Sequence, residues 1–171
     1  MSIEAPKNPN FLSPVKFRFS IARLPHITYS IQSINLPSVT VEAGAGAQLS
    51  PFGILKVPGD KMQFSEVQVI FKVDEDLNNY MEVFNWLQGL APNISFDSAK
   101  KMLNDPEKGL YSDLTLTILD SSQNPNISIK YIDAFPVYLS ELTFTSMDLE
   151  NEFLTAQVNF AITRWEYNKV T

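Results

Sequence analysis

The stretch at residues 56–90, KVPGDKMQFSEVQVIFKVDEDLNNYMEVFNWLQGL, decides the fold of this chain. After a turn predicted at 58–60, apolar and polar residues alternate over 66–73, which is the period of a strand with one buried face. Apolar residues then recur at helical spacing over 77–87. The stretch therefore predicts a strand that leads directly into an amphipathic helix.

This helix has predicted ends and a predicted buried face. Asp74 is the expected N-cap, with Glu75 and Asp76 in the first turn, where the helix dipole favours acidic side chains. Gly89 is the expected stop at the C-terminus, and Trp86 is expected to join the core. The face expected to be buried consists of Leu77, Tyr80, Met81, Phe84 and Leu87.

The rest of the chain alternates as antiparallel strands do. Residues 15–21 and 26–34 predict two strands that form a hairpin, joined by a turn at 23–25. A turn cluster follows at 121–126, and Pro136 predicts a kink or a sheet edge. The other predicted elements are a short helix at 96–103 and strands at 112–118, 127–131, 142–145 and 155–163.

This order predicts one mostly β (α+β) domain, an antiparallel β-sandwich or half-barrel with one main helix packed on it. A chain of 171 residues with 44% hydrophobic content is large enough for its own core. Residues 1–14 hold three prolines and are predicted to be an extended N-terminal arm, with the single domain at 15–171.

Residues 35–62 are predicted to be a long loop, in which Val39 and Val41 continue a strand. Loops of this length are uncommon in compact domains and are often functional. Two interpretations fit it equally well: a surface excursion, or a segment that becomes ordered only against a neighbouring subunit.

No group of residues points to catalysis or metal binding. His26 is the only histidine, and the sequence groups no partners with it. The acidic run at 74–76 fits a helix start better than an acid–base pair, and Asp148, Glu150 and Glu152 lack the glycine and register of an EF-hand. The chain has no cysteine, so it has no thiolate metal site. We therefore expect no enzyme, no cofactor and no metal.

The net charge of −6 argues against tight binding of nucleic acid, which needs a basic surface. It suits a surface past which nucleic acid moves without sticking, and equally an ordinary acidic soluble protein. No apolar run approaches the ~18 residues of a transmembrane helix. The N-terminus lacks the pattern of a secretory signal.

Several short motifs follow one another along the chain in a characteristic order. They are Leu36-Pro37, the PGD at 58–60, the acidic segment at 74–76, the helix with Trp86, Phe135-Pro136 with the 139–142 and 148–152 segments, and a last alternating strand ending in Trp165-Glu166. Their order resembles that of the tail tube proteins of contractile-tailed, T-even-like bacteriophages. The resemblance covers roughly residues 13–167, and the Gly-Ala run at 44–47 and the Asn-Pro at 124–125 depart from it. These departures leave the exact tail component open.

The resemblance implies a structural virion protein: a subunit of the inner tail tube whose hexameric rings close a β-barrel and stack into a DNA conduit. It also implies contacts with itself, with sheath and with baseplate proteins, and DNA that passes without specific binding. The protein would then be located in the phage tail, after its synthesis in the host bacterial cytoplasm. Two alternatives stay open: a tube-initiating baseplate protein or injection-system tube of the same fold, and a monomeric β-sandwich domain that binds carbohydrate or peptide.

Two polar strand faces are candidates for the lining of the channel, since a hydrated face with few positive charges would not hold phosphate. Bulk solvent would suit each face as well. The first face consists of Thr155, Gln157, Asn159 and Thr163, and the second of Asp113, Thr115 and Thr117.

Candidate inter-subunit contacts lie in two places. Phe52, Ile54 and Leu55 are apolar residues of the 35–62 loop. Trp165 and Tyr167 lie near the end of the chain, where Trp165 breaks the even-numbered apolar face of its strand. Tryptophan is enriched among the residues that dominate protein interfaces, which favours a contact there.

Overall fold

The computed structural model of the protein describes residues 11–44, 56–92, 97, 100, 109–146 and 153–170. The elements within these ranges are β1 (Phe17–Ile21), α1 (Pro25–Ser30), β2 (Ile31–Ile34), β3 (Val39–Gly44), β4 (Val57–Phe64), β5 (Val67–Lys72), α2 (Asn78–Leu90), β6 (Ser112–Leu119), β7 (Pro125–Leu139), β8 (Thr155–Ala161) and β9 (Arg164–Lys169).

Seven of these strands form one antiparallel sheet built around β7. The sheet order is β1-β6-β7-β8-β5-β2, and β9 also pairs with β7. β8 and β9 continue one register along the same strand, since Phe135 faces Ala161 and Ile132 faces Arg164. Strands β7, β8 and β9 therefore form one long ribbon, which β6 and β1 extend in one half and β5 and β2 in the other.

The ribbon bends where β7 leaves β6. Ser112 faces Ala134 while Leu114 faces Tyr131, so two residues of β7 face one of β6. One of the two is Asp133, which has a φ of 55°, a left-handed conformation that Asp tolerates better than most residues. Such a bulge bends a strand and increases its twist. A second register shift follows directly after Pro136, so the kink predicted there is confirmed.

One hydrophobic core joins both halves of the sheet to the two helices. Trp86 of α2 is buried, and its ring centroid lies 5.9 Å from that of Phe160 in β8. Burial of such side chains contributes about 25 cal/mol per Å² of apolar surface, which makes this core the main source of stability. The predicted mostly antiparallel β fold is thus confirmed. Within the described ranges, a single chain forms no closed barrel.

The predicted hairpin of 15–21 with 26–34 is wrong. Residues Pro25–Ser30 are helix α1, β1 pairs with β6, and β2 pairs with β5. Pro25 suits the first turn of a helix, where a missing N–H leaves no bond unmade. Ile27 is fully buried while Tyr29 is 92% exposed, so the odd-numbered residues do not share one face.

The start of α2 also differs from the prediction. The helix begins at Asn78, after a tight turn in which the Leu77 N–H donates to the Asp74 carbonyl at 3.0 Å. Leu77, with a φ of 58°, is the N-cap, and no acidic residue lies in the first turn. Gly89 lies inside the helix rather than after it.

The buried face of α2 is rotated from the predicted one. Met81 and Phe84 are each 44% exposed, although helical spacing predicted them to be buried. The helix has apolar residues on more than one side, so its period alone does not say which side meets the sheet. The residues that are buried are Asn79, Val83, Trp86 and Gly89.

The predicted 35–62 loop contains a β-hairpin, in which β3 pairs with β4. The strand predicted at Val39 and Val41 is confirmed, whereas the turn predicted at 58–60 lies inside β4. Val41 faces Met62 but Ala43 faces Pro58, which leaves a bulge opposite Glu42. A Cβ on Gly59 would lie 2.1 Å from the Glu42 carbonyl oxygen, so the bulge requires glycine.

The remaining predictions have mixed outcomes. The turn before β7 is confirmed, with the Asp120 carboxylate accepting the N–H groups of Ser122 and Asn124. Residues 142–145 form no strand. Of the predicted helix at 96–103, the structure describes Asp97 and Lys100, both helical.

Residues 1–10 of the predicted arm and residues 148–152 lie outside the described ranges. None of the helices in those ranges has the length and apolar character needed to cross a membrane.

Candidate functional site

The face of β8 that points away from the core carries a hydrogen-bonded row of amide side chains. The Gln157 Nε2 donates to the Asn159 Oδ1 at 2.9 Å, and the Asn159 Nδ2 donates to the Glu66 Oε2 at 2.9 Å. Thr155 begins the same face, while the residues between them are buried in the core. We call Thr155, Gln157 and Asn159 the amide face. Its side chains hold one another in place and carry no charge of their own.

Neighbouring strands extend the amide face. Gln68 of β5 and Tyr138 of β7 lie on either side of Asn159. Lys72 of β5 lies opposite Thr155 at one end of the face, and its Nζ lies 3.7 Å from the centroid of the Phe153 ring. Glu66 supplies a negative charge at the other end. The amide face is therefore mainly polar, with a cation at one end and a carboxylate at the other.

Thr163 does not belong to this face. β8 ends at Ala161, and Thr163 lies exposed in the bend before β9, where its N–H donates to the Ile132 carbonyl at 3.1 Å. The structure thus brings together three of the four predicted residues. The alternation of the sequence continues through the bend and gives no sign of it.

The second candidate face, on β6, carries charged neighbours. The Asp113 carboxylate lies 2.7 Å from the Lys130 Nζ, and its hydrogen bond and negative charge raise the pKa of Lys130. Arg18 of β1 lies opposite Thr117, and Thr115 lies between the two charged positions. Cations on a face give phosphate something to bind, and the β6 face has two, Lys130 and Arg18, whereas the amide face has Lys72 at one end.

The β3–β4 hairpin has an apolar face that is largely exposed. Val41 and Met62 face each other there and are both exposed. The opposite face is polar, with the Gln63 Nε2 donating to the Glu42 Oε1 at 3.1 Å. An isolated two-stranded hairpin is only marginally stable in water, so this apolar face is a candidate contact surface. The predicted contacts at Phe52, Ile54 and Leu55 lie outside the described residues.

Trp165 packs within its own chain. Its ring meets that of Phe64 edge to face at 6.4 Å, which ties the base of the hairpin to the core. Trp165 lies opposite Tyr131, and its Nε1 and the Tyr131 hydroxyl are both buried without a hydrogen-bond partner in the described part of the chain. Burial raises the pKa of Tyr131 far above its usual range. Tyr167 is 69% exposed on β9 and stays a candidate for inter-subunit contact.

Asn79 is the buried polar residue that the sequence analysis missed. Its Oδ1 accepts the Asp74 N–H at 3.2 Å. Its Nδ2 donates to the Lys72 carbonyl at 2.8 Å and to the Ser30 Oγ at 3.2 Å. One side chain therefore joins the end of β5, the end of α1 and the start of α2. The only signal in the sequence was an amide within a predicted helix.

His26 lies on α1 rather than on a strand. Its Nδ1 lies 2.5 Å from the Glu82 Oε1 on α2, and the imidazole is mostly exposed. Among the residues that the structure describes, no three His, Cys, Asp or Glu side chains are grouped so as to hold a metal ion.

The bent antiparallel sheet with one main helix beside it is similar to the fold of subunits from a contractile injection system. The subunit of the anti-feeding prophage tube-terminating cap matches with a TM-score of 0.65 at 14% identity, covering 99% of this chain and 95% of that one. A chain of the anti-feeding prophage baseplate matches with a TM-score of 0.62 at 13% identity, covering 98% and 97%.

Sequence comparison points to the same class. The tail tube terminator protein of Enterobacteria phage T4 is 23% identical over 158 residues, which cover 87% of this chain and 86% of that protein. No family model matches the sequence. The resemblance to the tail tube proteins of contractile-tailed phages is confirmed.

Proposed function

We propose that this chain is a structural, non-enzymatic subunit of the inner tube of a contractile phage tail. Its copies form hexameric rings, and DNA passes through the rings without specific binding. The similarity to a tail tube terminator along most of both chains supports this role. Sheath and baseplate proteins are its other proposed partners, in a tail assembled in the host cytoplasm. We also propose one domain at 15–171, preceded by an arm at 1–14.

The observation that carries the proposal is the open sheet. In the described part of the chain, β2 pairs only with β5, and residues 135–139 of β7 pair only with β8. The half of the sheet that bears the amide face therefore has unpaired backbone groups on both flanks. Exposed edges of this kind favour pairing with another chain, and closure into a barrel removes them.

Closure of this half of the sheet would turn the amide face toward the channel. Gln157 hydrogen-bonds to Asn159, and Asn159 hydrogen-bonds to Glu66. These amide groups can bind water, but they offer phosphate no cation. The β6 face is the weaker candidate because two cations, Lys130 and Arg18, lie on it, whereas the amide face has Lys72 at one end. DNA sliding past the amide face would meet little that holds it.

The hairpin would then cover a neighbouring subunit. Its apolar face, with Val41 and Met62, has no cover among the described residues and gains stability when buried. We propose that Phe52, Ile54 and Leu55 contribute to the same contact, and that Tyr167 contributes from β9.

A second candidate is the terminal ring of the tube rather than a repeating one. The similarity to a T4 tail tube terminator protein, over 87% of this chain and 86% of that protein, favours it. A terminal ring would form hexamers that do not lengthen into tubes on their own. A tube-initiating ring at the baseplate would behave in the same way, and a monomeric binding domain would form no rings.

Negative-stain electron microscopy of the purified protein over a concentration series tests the proposal. Rings with a central hole are expected, and stacked rings or tubes would identify the repeating subunit. Rings that never stack would identify the terminal or initiating ring. Monomers at every concentration, also after addition of preformed tail tubes, would refute the proposed function.

A further inference from the structure

The two ends of the β7–β8–β9 ribbon differ in charge. We call the end at the β6–β7 turn the turn end, and the end where α2 begins the helix end. The described residues of the turn end include Phe11, Leu12, Val15, Lys16, Arg18, Lys169 and Val170. Those of the helix end include Lys72, Asp74, Glu75, Asp76, Glu141 and Phe153.

Hydrogen bonds bring the turn end together from three parts of the chain. The Lys16 Nζ donates to the Ser121 carbonyl at 2.6 Å, and the Val170 N–H donates to the Asn126 carbonyl at 2.9 Å. The N-terminal side of β1 and the end of β9 therefore flank the same turn. Three cations lie there, and the carboxylate of Asp120 is occupied by backbone N–H groups of the turn.

The turn end also exposes apolar surface. Phe11 is 98% exposed and Val15 is 79% exposed, and Leu12 beside them is exposed as well. A cavity of about 400 Å³ lies between Phe11, Leu12 and the turn, and is lined in part by Leu119. A basic rim around apolar side chains is the composition of a contact surface for an acidic partner.

The helix end has the complementary composition. The Val73 N–H donates to the Leu154 carbonyl at 2.9 Å, which holds the acidic turn at 74–76 beside the start of β8. Glu75, Asp76 and Glu141 are exposed. Among the described residues that we assign to this end, Lys72 is the cation, and it lies over the ring of Phe153, an exposed aromatic side chain.

We propose that the turn end of one copy docks on the helix end of a second copy. The proposal rests on the proposed function and specifies which surfaces would join successive rings. Opposite charges steer unlike ends together, whereas two turn ends or two helix ends would bring like charges face to face. A contact between unlike ends is heterologous, so its repetition builds an open, polar stack.

Cysteine cross-linking tests the contact even when it is short-lived, because the chain has no cysteine of its own. The variant Val15→Cys places a thiol on the turn end, and Glu75→Cys places one on the helix end. Random pairing in an equimolar mixture under mild oxidation gives twice as many unlike dimers as either like dimer. We expect this excess to reach about tenfold at low salt and to decline toward about twofold in 0.5 M salt. Asn85→Cys, exposed on α2, is the control and should show no preference.

Charge reversal separates this contact from unspecific collision. Arg18→Glu with Lys169→Glu reverses the turn end, and Glu75→Lys with Asp76→Lys reverses the helix end. Because Glu75 is itself changed in the reversal, these experiments use Glu141→Cys to place the thiol on the helix end. Either reversal alone should lower the yield of unlike dimers about tenfold, and both together should restore it. Melting curves verify that each variant is folded.

Three outcomes overturn the proposal: unlike dimers at only about twice the yield of either like dimer, as random pairing gives, a yield that neither reversal changes, or no rescue by the double reversal. Rings in the microscope together with any of these would leave the proposed function standing and remove only the end-to-end contact. Unlike cross-links without rings would support the contact and refute the ring.

Discussion

Replacement of Asn79 by Ala tests whether one buried amide organises the junction of β5, α1 and α2. The side chain is fully buried and makes three hydrogen bonds. Its truncation leaves the Asp74 N–H and the Lys72 carbonyl without that partner. We expect the variant to fold, with the start of α2 loosened.

The expected loss can be estimated from these bonds. A hydrogen bond contributes about 1 kcal/mol net, and a buried group left without a partner costs about 1–3 kcal/mol. Partial access of water to the junction reduces the sum, so we expect a loss of about 3 kcal/mol in the free energy of unfolding. That is a large part of the roughly 5–15 kcal/mol by which a domain is stable.

Urea unfolding followed by tryptophan fluorescence measures the loss, since Trp86 lies on the same helix. With a urea dependence of about 2 kcal/mol per M, the midpoint should fall by about 1.5 M. Asn78→Ala is the matched control, because Asn78 is the exposed first residue of the same helix and should change stability by less than about 0.5 kcal/mol. Equal midpoints for Asn79→Ala and the wild-type protein would refute the reasoning, and so would equal losses for the two variants.

Three further changes test other parts of the structure. Gly59→Ala should open the β3–β4 hairpin, with faster hydrogen exchange there and a local loss of stability of about 1–2 kcal/mol. Gly44→Ala is the control and should not open it, because the added Cβ would meet an ordinary contact at 3.5 Å. Equal rates of hydrogen exchange in the two variants would contradict the need for glycine at the bulge. Tyr131→Phe should leave stability at neutral pH unchanged or raise it by up to about 1 kcal/mol, because the hydroxyl has no described partner. Because the pKa of Tyr131 is raised in the folded state, the wild-type protein keeps its full stability below pH ~10 and loses up to about 1.4 kcal/mol per pH unit as pH rises toward the folded-state pKa. The same decline of stability with pH in the Tyr131→Phe variant would contradict this. Gln157→Lys in assembled tails should slow DNA ejection and Thr115→Lys should not, whereas the reverse result would assign the channel to the β6 face.

Elements stabilised by local interactions could be predicted from the sequence. The β6–β7 hairpin is one example: its strands alternate on both sides of a turn, and the turn is closed by Asp120 within five residues. The core strand β5 is another, since Val67, Val69 and Phe71 are buried as their alternation predicts. In both cases the pattern and its cause lie in one short stretch.

Helix α1 could not be predicted in this way. Six residues are too few for a helix that is stable alone, since about 12–15 are needed in water, and their alternation is that of a strand. Contacts far along the chain hold it instead: Ile27 enters the core, and the Ser30 Oγ accepts a hydrogen bond from Asn79. The same long-range packing sets which face of α2 is buried.

The distribution of charge over the surface could not be predicted from the sequence, for a related reason. A net charge of −6 describes the whole chain, but Arg18 and Lys169 become neighbours of the same turn only through the pairing of β1 with β6 and of β9 with β7. The acidic run at 74–76 lies at the other end, together with Glu141 and Lys72. A chain that repels nucleic acid on average can therefore attract its own copies end to end, because the sum of charges governs the first property and their placement the second. Whether such a chain forms one terminal ring or many successive rings then depends on both ends being free to pair, which is what the charge reversals measure.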